Sequence, residues 1–394
     1  NFIENFLYYD ALSGYYNLLQ DTYLYLYLFN TLALLIGVII LTLIFGVGSA
    51  YLVSFYKFPG SNFFTWALIL SFAIPGYIYA YSLTAFFEYF GSLYSILKYI
   101  FGEGDYNNFI PRIDSLIGSI LSISLSLYIY VYLITRACFI YQSQSQIDAG
   151  KNMGFSNYQI FKRILLPSAR PGIVAGLSLV AMECISDFGT VSFFNVQSLT
   201  TAIYDSWIVF DDINTAYQLS FFLIFFILIF FIIEKISRSR SRFNIPSRGY
   251  RSLEKINLQG RKKWFAFYAL LILFFVSFIF PISQMIFWII KFPSNFDLSN
   301  ILALTTNTML LVVSTTLILI LLSFITNYGM RISESKTLNI ITNFSISGYA
   351  IPGIILALTL LSFISFVSSY FNNESIKVLF IGTVFGLVLA YCVR

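Results

Sequence analysis

The strongest constraint on this chain is the length of its uncharged apolar runs. Leu219–Ile233 holds no charged residue, and comparable stretches recur along the 394 residues. Runs of about 20 such residues match the hydrocarbon thickness of a bilayer. Composition agrees: the chain is 58% hydrophobic and 10% charged, against about 45–50% apolar and about 25% charged in a soluble domain. An outer-membrane barrel would show alternating segments of about ten residues, and the sequence has none. The expected fold class is therefore all-α, a polytopic membrane protein.

Nine candidate spans follow from the runs: 24–56, 64–90, 115–141, 172–194, 217–236, 264–291, 301–328, 338–370 and 377–394. Segment 1–23 mixes Glu4, Asp10 and Asp21 with aromatics and reads as interfacial or external. Segment 235–263 holds ten of the 23 basic residues, and segment 142–171 adds Lys151, Lys162, Arg163 and Arg170. Both are cytoplasmic by the positive-inside rule. Loop 195–216, with Asp205, Asp211 and Asp212 and no Lys or Arg, suits the outside. The net charge of +5 thus reports orientation, and no nucleic-acid partner is expected. The basic stretch could contact anionic membrane lipid, but reads first as a linker held by its charge.

Absences exclude whole classes of chemistry. There is no histidine, so no Ser-His or Cys-His catalytic arrangement is possible. Cys138, Cys184 and Cys392 lie scattered in apolar segments and read as buried small hydrophobes. No G-x-x-x-x-G-K-[ST] loop occurs. Neither catalytic residues nor a cofactor are expected.

The chain also repeats itself. Asn30-Thr31-Leu32 matches Asn307-Thr308-Met309 at an offset of 277, and Ile74-Pro75-Gly76 matches Ile351-Pro352-Gly353 at the same offset. Tyr51 and Tyr328 fall in line with them. Two homologous halves in the same orientation are expected, 1–236 and 264–394, joined by a basic linker, 237–263. The mapping leads us to expect that the first half lacks its opening helix and that the second stops before its own cytoplasmic loop. Pro75, Gly76, Pro352 and Gly353 interrupt spans at equivalent places, where a bend can line a cavity. Tyr77, Tyr79 and Tyr81 read as interfacial anchors.

The cytoplasmic stretch 148–167 reads DAGKNMGFSNYQIFKRILLP. Gln144–Met153 can form a helix. Gly154 permits the positive φ of a sharp turn. Asn157–Leu166 can form a second helix, with Tyr158, Phe161 and Leu165 on one side. Pro167 should close the element. The spacing of Asp148, Ala149, Gly150, Gly154, Ile164, Leu166 and Pro167 resembles the E-A-A-x(3)-G-x(9)-I-x-L-P loop of ABC importer permeases, with Asp for Glu and Gly for the second Ala. That resemblance implies the type I importer transmembrane fold. It also implies two cytoplasmic ATPase subunits docking on such loops, a substrate-binding protein outside, and an inner-membrane location. ATP hydrolysis would then reside on the partners, not on this chain.

Downstream, Glu183–Trp207 reads ECISDFGTVSFFNVQSLTTAIYDSW. Its D-F-G-T-V, S-L-T-T-A-I-Y and Trp207 elements resemble the ferric-iron branch of these permeases, which implies Fe3+ as substrate. Permeases for thiamine, polyamine or an inorganic anion share the loop and are the alternatives. An ion-driven secondary transporter would have no need of it. Glu183 and Asp187 lie four apart in a span, where carboxylates usually face a water-filled path or a partner. Hard oxygen ligands suit a trivalent ion, so this pair is the candidate for transient iron contact.

Overall fold

A computed structural model describes residues 24–239 and 254–393, apart from 90, 107, 109, 112, 114, 143, 294–296, 333–336, 338–341, 343–347 and 349–350. The expectations for segment 1–23, for most of the basic linker and for Arg394 lie outside these residues, as does much of 338–350.

The elements run as follows. Helix α1 (Leu24–Phe55) leads into a two-residue strand, β1 (Tyr56–Lys57). Next come α2 (Ser61–Ala67), a 3₁₀ segment Leu68–Ala73, α3 (Gly76–Phe87), α4 (Ser92–Phe101) and α5 (Leu116–Ile140). Then follow α6 (Gln144–Asn152), α7 (Asn157–Ile160), a π turn Phe161–Leu165, and α8 (Leu166–Ser186). The connection after α8 holds α9 (Gly189–Phe193), α10 (Leu199–Tyr204) and a second π turn, Asp205–Val209. After α11 (Ile213–Ser239) come β2 (Ile256–Asn257), α12 (Arg261–Phe274), a third π turn Phe275–Ile279 and α13 (Phe280–Lys291). The last helices are α14 (Leu298–Ile332), α15 (Gly353–Tyr370), α16 (Ser375–Phe380) and α17 (Val384–Val393).

Among the described residues, seven helical stretches are long and apolar enough to cross a membrane, and an eighth is formed if the bent pair Ser61–Ala73 and Gly76–Phe101 counts as one span. The chain is thus a multi-pass helical membrane protein, with short β1 and β2 the strands among the described residues. Leu24–Phe55 and Leu116–Ile140 lie within a residue of the expected spans.

Other spans differ. The expected span 64–90 is broken at Pro75, and its two parts bend by 91°. Span 172–194 ends at Ser186, but the helical rod carrying it begins at Asn157. The apolar helix 338–370 is described from Gly353 onward. Span 377–394 is not one helix: α16 and α17 are separated at Gly382, whose φ of 73° no helix accepts. A ten-residue helix such as α17 rises only about 15 Å, half the hydrocarbon thickness.

Two compact units divide between Phe287 and Trp288. In the first, α1, α5 and α8 pack together around Val38, Ala50, Ile129, Val131, Tyr132 and Ala181, all fully buried. The helix after the linker belongs to this unit. Phe267 packs on Phe64 at 5.7 Å between ring centres, Phe274 on Phe63 at 5.6 Å, and Phe280 on Phe86 at 5.1 Å. In the second unit α15 packs on α16, with Ile355, Leu356 and Leu358 buried.

The break at Pro75 lies in apolar surroundings, so its freed carbonyls need donors. Helix α5 supplies them. Tyr132 Oη donates to the Thr65 carbonyl at 3.0 Å, Tyr128 Oη to that of Leu68 at 3.1 Å, and Ser126 Oγ to that of Ile74 at 3.1 Å. Tyr128 also shares a 2.7 Å hydrogen bond with Ser71 Oγ and a 3.3 Å one with Ser277 Oγ. Tyr79 is buried rather than interfacial and donates to the Ser277 carbonyl. Tyr77 and Tyr81 are half-exposed, as anchors would be.

The second Pro-Gly site has the same local form. Pro75 and Pro352 are both extended, and helices start at Gly76 and Gly353. The Ile74 N–H donates to the Ser71 carbonyl at 3.2 Å and the Ile351 N–H to that of Gly348 at 3.0 Å, again 277 residues apart.

Candidate functional site

Two places carry the residues singled out by sequence. The first is the basic loop 144–167. Helix α6 ends in a double hydrogen bond. The Phe155 N–H reaches back to the Gly150 carbonyl at 3.0 Å and the Gly154 N–H to that of Lys151 at 2.9 Å. This closure requires a left-handed residue, and Gly154 has φ 77°. The chain re-enters helix through a reciprocal cap. Gln159 N–H donates to Ser156 Oγ at 3.3 Å, and Ser156 N–H to Gln159 Oε1 at 2.9 Å.

The two arms of this loop touch at motif positions. A Cβ on Gly150 would lie 2.7 Å from Ile164 Cδ1 and 3.1 Å from Ile160 Cγ1. A small residue at 150 and a branched one at 164 are thus halves of one contact. Asp148 accepts a 3.0 Å hydrogen bond from Gln144 Nε2. Ala149, Lys151, Met153, Gly154 and Tyr158 are exposed and form the tip.

Pro167 does not close the element. It sits in the first turn of α8, and the rod runs on to Ser186. The π turn before it is the reason. There the Leu166 N–H bonds the Phe161 carbonyl five residues back, so Pro167 enters a widened turn instead of a regular α-ladder. Ser168 Oγ donates to the Ile164 carbonyl at 2.7 Å, and Gln142 Nε2 to that of Leu165 at 3.0 Å. The expected side Tyr158–Phe161–Leu165 is not one buried face: Tyr158 is exposed, and Ile160 and Leu165 are buried.

The second place is a polar hub at the opposite end of α8. Asp187 leaves the helix, with φ −71° and ψ 116°, so it does not continue the helical face of Glu183. Its Oδ1 accepts from the Thr190 N–H at 2.7 Å and its Oδ2 from Thr190 Oγ1 at 2.9 Å. The Asp187 carbonyl accepts from Thr200 Oγ1 at 3.2 Å, and the Phe188 ring lies 4.6 Å from that of Tyr204. Ser198 caps α10, whose Leu199 N–H donates to Thr31 Oγ1 at 3.0 Å. Asn30 Nδ2 donates to the Gln197 carbonyl at 2.8 Å.

The hub therefore unites three sequence features: the D-F-G-T stretch, the S-L-T-T stretch and the repeated Asn30-Thr31. Gly76 joins them, since a Cβ there would lie 2.5 Å from Thr190 Oγ1 and 3.3 Å from Asp187 Oδ2. Beside the hub, a cleft of about 240 Å³ opens between Asn30, Ser115, Asn195 and Gln197. Among the described residues no group of three or more His, Cys, Asp or Glu side chains could hold a metal ion. Sequence reasoning missed the hydroxyl row of α5. The Tyr128 and Tyr132 spacing, one helical turn inside an apolar run, was the available signal.

Asp212 anchors the end of the connection between α8 and α11. Its Oδ2 accepts from Thr215 Oγ1 at 2.6 Å, and its Oδ1 accepts from the Asn214 and Thr215 N–H groups at 3.1 Å each, capping α11. The Thr215 hydroxyl above all holds its carboxyl below the usual range, against an upward push from burial, and the two N–H groups add to the lowering. A depressed carboxyl stabilises the fold above its unfolded pKa, and the stabilisation is lost as pH falls through the folded value. Asp212→Ala should cost about 1 kcal/mol at neutral pH and less in acid. Thermal unfolding of purified protein at both pH values checks this.

Apolar rods, a hydrogen-bonded break within them and an exposed helix–turn–helix on the basic side define a polytopic membrane component built for transport. The chain belongs to the family of binding-protein-dependent transport system inner membrane components, whose model matches residues 42–243. It is 23% identical over 366 residues to the Fe(3+)-transport system permease protein FbpB 2 of Haemophilus influenzae, covering 92% of this chain and 66% of that one. It is 23% identical over 155 residues to the sulfate transport system permease protein CysT of Salmonella typhimurium, covering 38% of this chain and 51% of that one. It is 23% identical over 220 residues to the putative 2-aminoethylphosphonate transport system permease protein PhnU of Salmonella choleraesuis, covering 54% of this chain and 75% of that one. Family and helices together place the chain in the inner membrane as a multi-pass protein.

Proposed function

We propose that the chain is the permease of an ATP-driven importer for ferric iron, built from two tandem halves. A binding protein delivers substrate at the outer face. Two ATPase subunits dock on cytoplasmic loops, of which 144–167 is one, and move them. The chain itself does no bond chemistry. The observation that carries this reading is the loop: a rigid helix–turn–helix, closed at Gly154, braced by Gly150 on Ile164, with an exposed tip. Such a knob can transmit a partner's rigid-body motion. The repeated hydrogen bond at the two Pro-Gly sites supports the tandem halves.

Iron is favoured over sulfate or phosphonate by the relative matched over most of this chain. In this reading Glu183 and Asp187 offer oxygen ligands in passing, with Asp187 beside Gly76 of the break. Glu183→Gln with Asp187→Asn should lower Fe3+ uptake about tenfold or more, a loss of about 1.4 kcal/mol. Asn keeps the cap on Thr190, so a folding defect is not the expected cause. The deciding experiment uses the full-length complex in liposomes. Fe3+-loaded binding protein should stimulate ATP hydrolysis, while sulfate and 2-aminoethylphosphonate should not. Stimulation by either anion instead assigns the chain to an anion permease.

A further inference from the structure

Where the chain emerges from the basic linker, it is fastened rather than slack. The Glu254 N–H donates to Gln144 Oε1 at 3.2 Å. Ile256 and Asn257 pair in parallel with Tyr56 and Lys57, and the Leu258 N–H donates to the Lys57 carbonyl at 3.0 Å. Gln144 is 6% exposed, and its other end holds Asp148. One buried side chain thus joins residues 254–258 to helix α6 of the cytoplasmic loop. A two-residue parallel ladder has no stability of its own, so it persists through what it connects. Past Gly260 the chain turns directly into α12. The rod α12–α13 lies along α2 and the 3₁₀ segment, and Ser277 enters the hydroxyl knot of Tyr79, Tyr128 and Ser71 at the break.

We propose that residues 254–258 are a transmission strap, through which motion of the cytoplasmic loop passes from Gln144 into the α12–α13 rod and so to the break at Leu68–Gly76. The proposal rests on the importer reading. It adds a second route to the one through α8, which runs from the same loop to Asp187 and Thr190 against Gly76. Gln144 acts here as a positioning residue, through the strap.

The test uses the full-length protein assembled with its ATPases. Two glycines inserted between Gln259 and Gly260 leave every strap bond in place but slacken the joint to α12. Leu258→Pro, outside the docking loop, removes the N–H that fastens the strap to the Lys57 carbonyl, by a different means. The reporter is maleimide labelling of Tyr77→Cys, a half-exposed position next to the break, with the native cysteines replaced. It is read with and without ATP plus vanadate. Both variants should keep ATPase co-purification and hydrolysis, while the nucleotide-dependent labelling change shrinks about fivefold, within the range of mutations along coupled networks. A full-sized labelling change in the insertion variant overturns the strap. So does parallel loss of bound ATPase in both variants, which marks a folding role. A parent chain that carries no ATPase overturns the importer reading, and the strap with it.

Discussion

Gly154→Asp should cut ATPase co-purification about tenfold or more, a loss of about 1.4 kcal/mol, while the permease itself stays folded. The expectation comes from two facts at one residue. Its φ of 77° is a conformation that Asp tolerates better than most residues. A Cβ there meets nothing within 4 Å and projects from the exposed tip. In the importer reading, the new carboxylate therefore burdens the docking face and not the interior. Gly150→Leu makes the contrast, because it collides with Ile164 and should lower stability first. Equal amounts of membrane-inserted protein, with ATPase lost only from Gly154→Asp, is the pattern to look for in detergent extracts. ATPase retained at full stoichiometry would remove this loop from the interface.

Gly76→Ala should destabilise the first unit by about 1–3 kcal/mol, the usual cost of overpacking. Its methyl would sit 2.5 Å from Thr190 Oγ1, inside the pair that holds α9 to the end of α8. The effect should not add to that of Thr190→Ala. With Oγ1 gone, the nearest Thr190 atom is its Cβ at 3.8 Å, an ordinary contact. The 3.3 Å approach to Asp187 Oδ2 remains, so the double variant should recover most, not all, of the Gly76→Ala loss relative to Thr190→Ala alone, and a double-mutant cycle by thermal unfolding reads the coupling. Additive losses would mean that Gly76 is needed for some other reason. In the importer reading, Fe3+ uptake should fall with Gly76→Ala and partly return in the double variant.

The spans were legible because hydropathy is a local property: Leu24–Phe55 and Leu116–Ile140 need no partner to be recognised. Pro75 was legible as a break for the same reason. Pro167 was not, because its effect depends on a five-residue π turn just upstream that no propensity records. Gly382 hid within an apolar run, where a single positive φ splits one apparent span into two short helices. The outer hub lay half in view. Asp187 stood out as a carboxylate in a span, but its acceptor role depends on Thr190, and the meaning of Gly76 depends on both. The hydroxyl donors of α5 are intelligible only once the carbonyls of Thr65, Leu68 and Ile74 face them, and that is a tertiary fact.

The knot around Ser71, Tyr79 and Tyr128 is completed by Ser277, which lies beyond the linker. This sets an order of events during synthesis. When residues up to 239 have been made, the Tyr79 hydroxyl has the Ser71 carbonyl at 3.4 Å as acceptor, but the Ser277 carbonyl and hydroxyl have not yet been made. The first bundle must wait for α12 and α13 to leave the ribosome before its interior is sealed. A chain cut within the linker should therefore be poor at folding unless the missing rod is supplied as a separate piece.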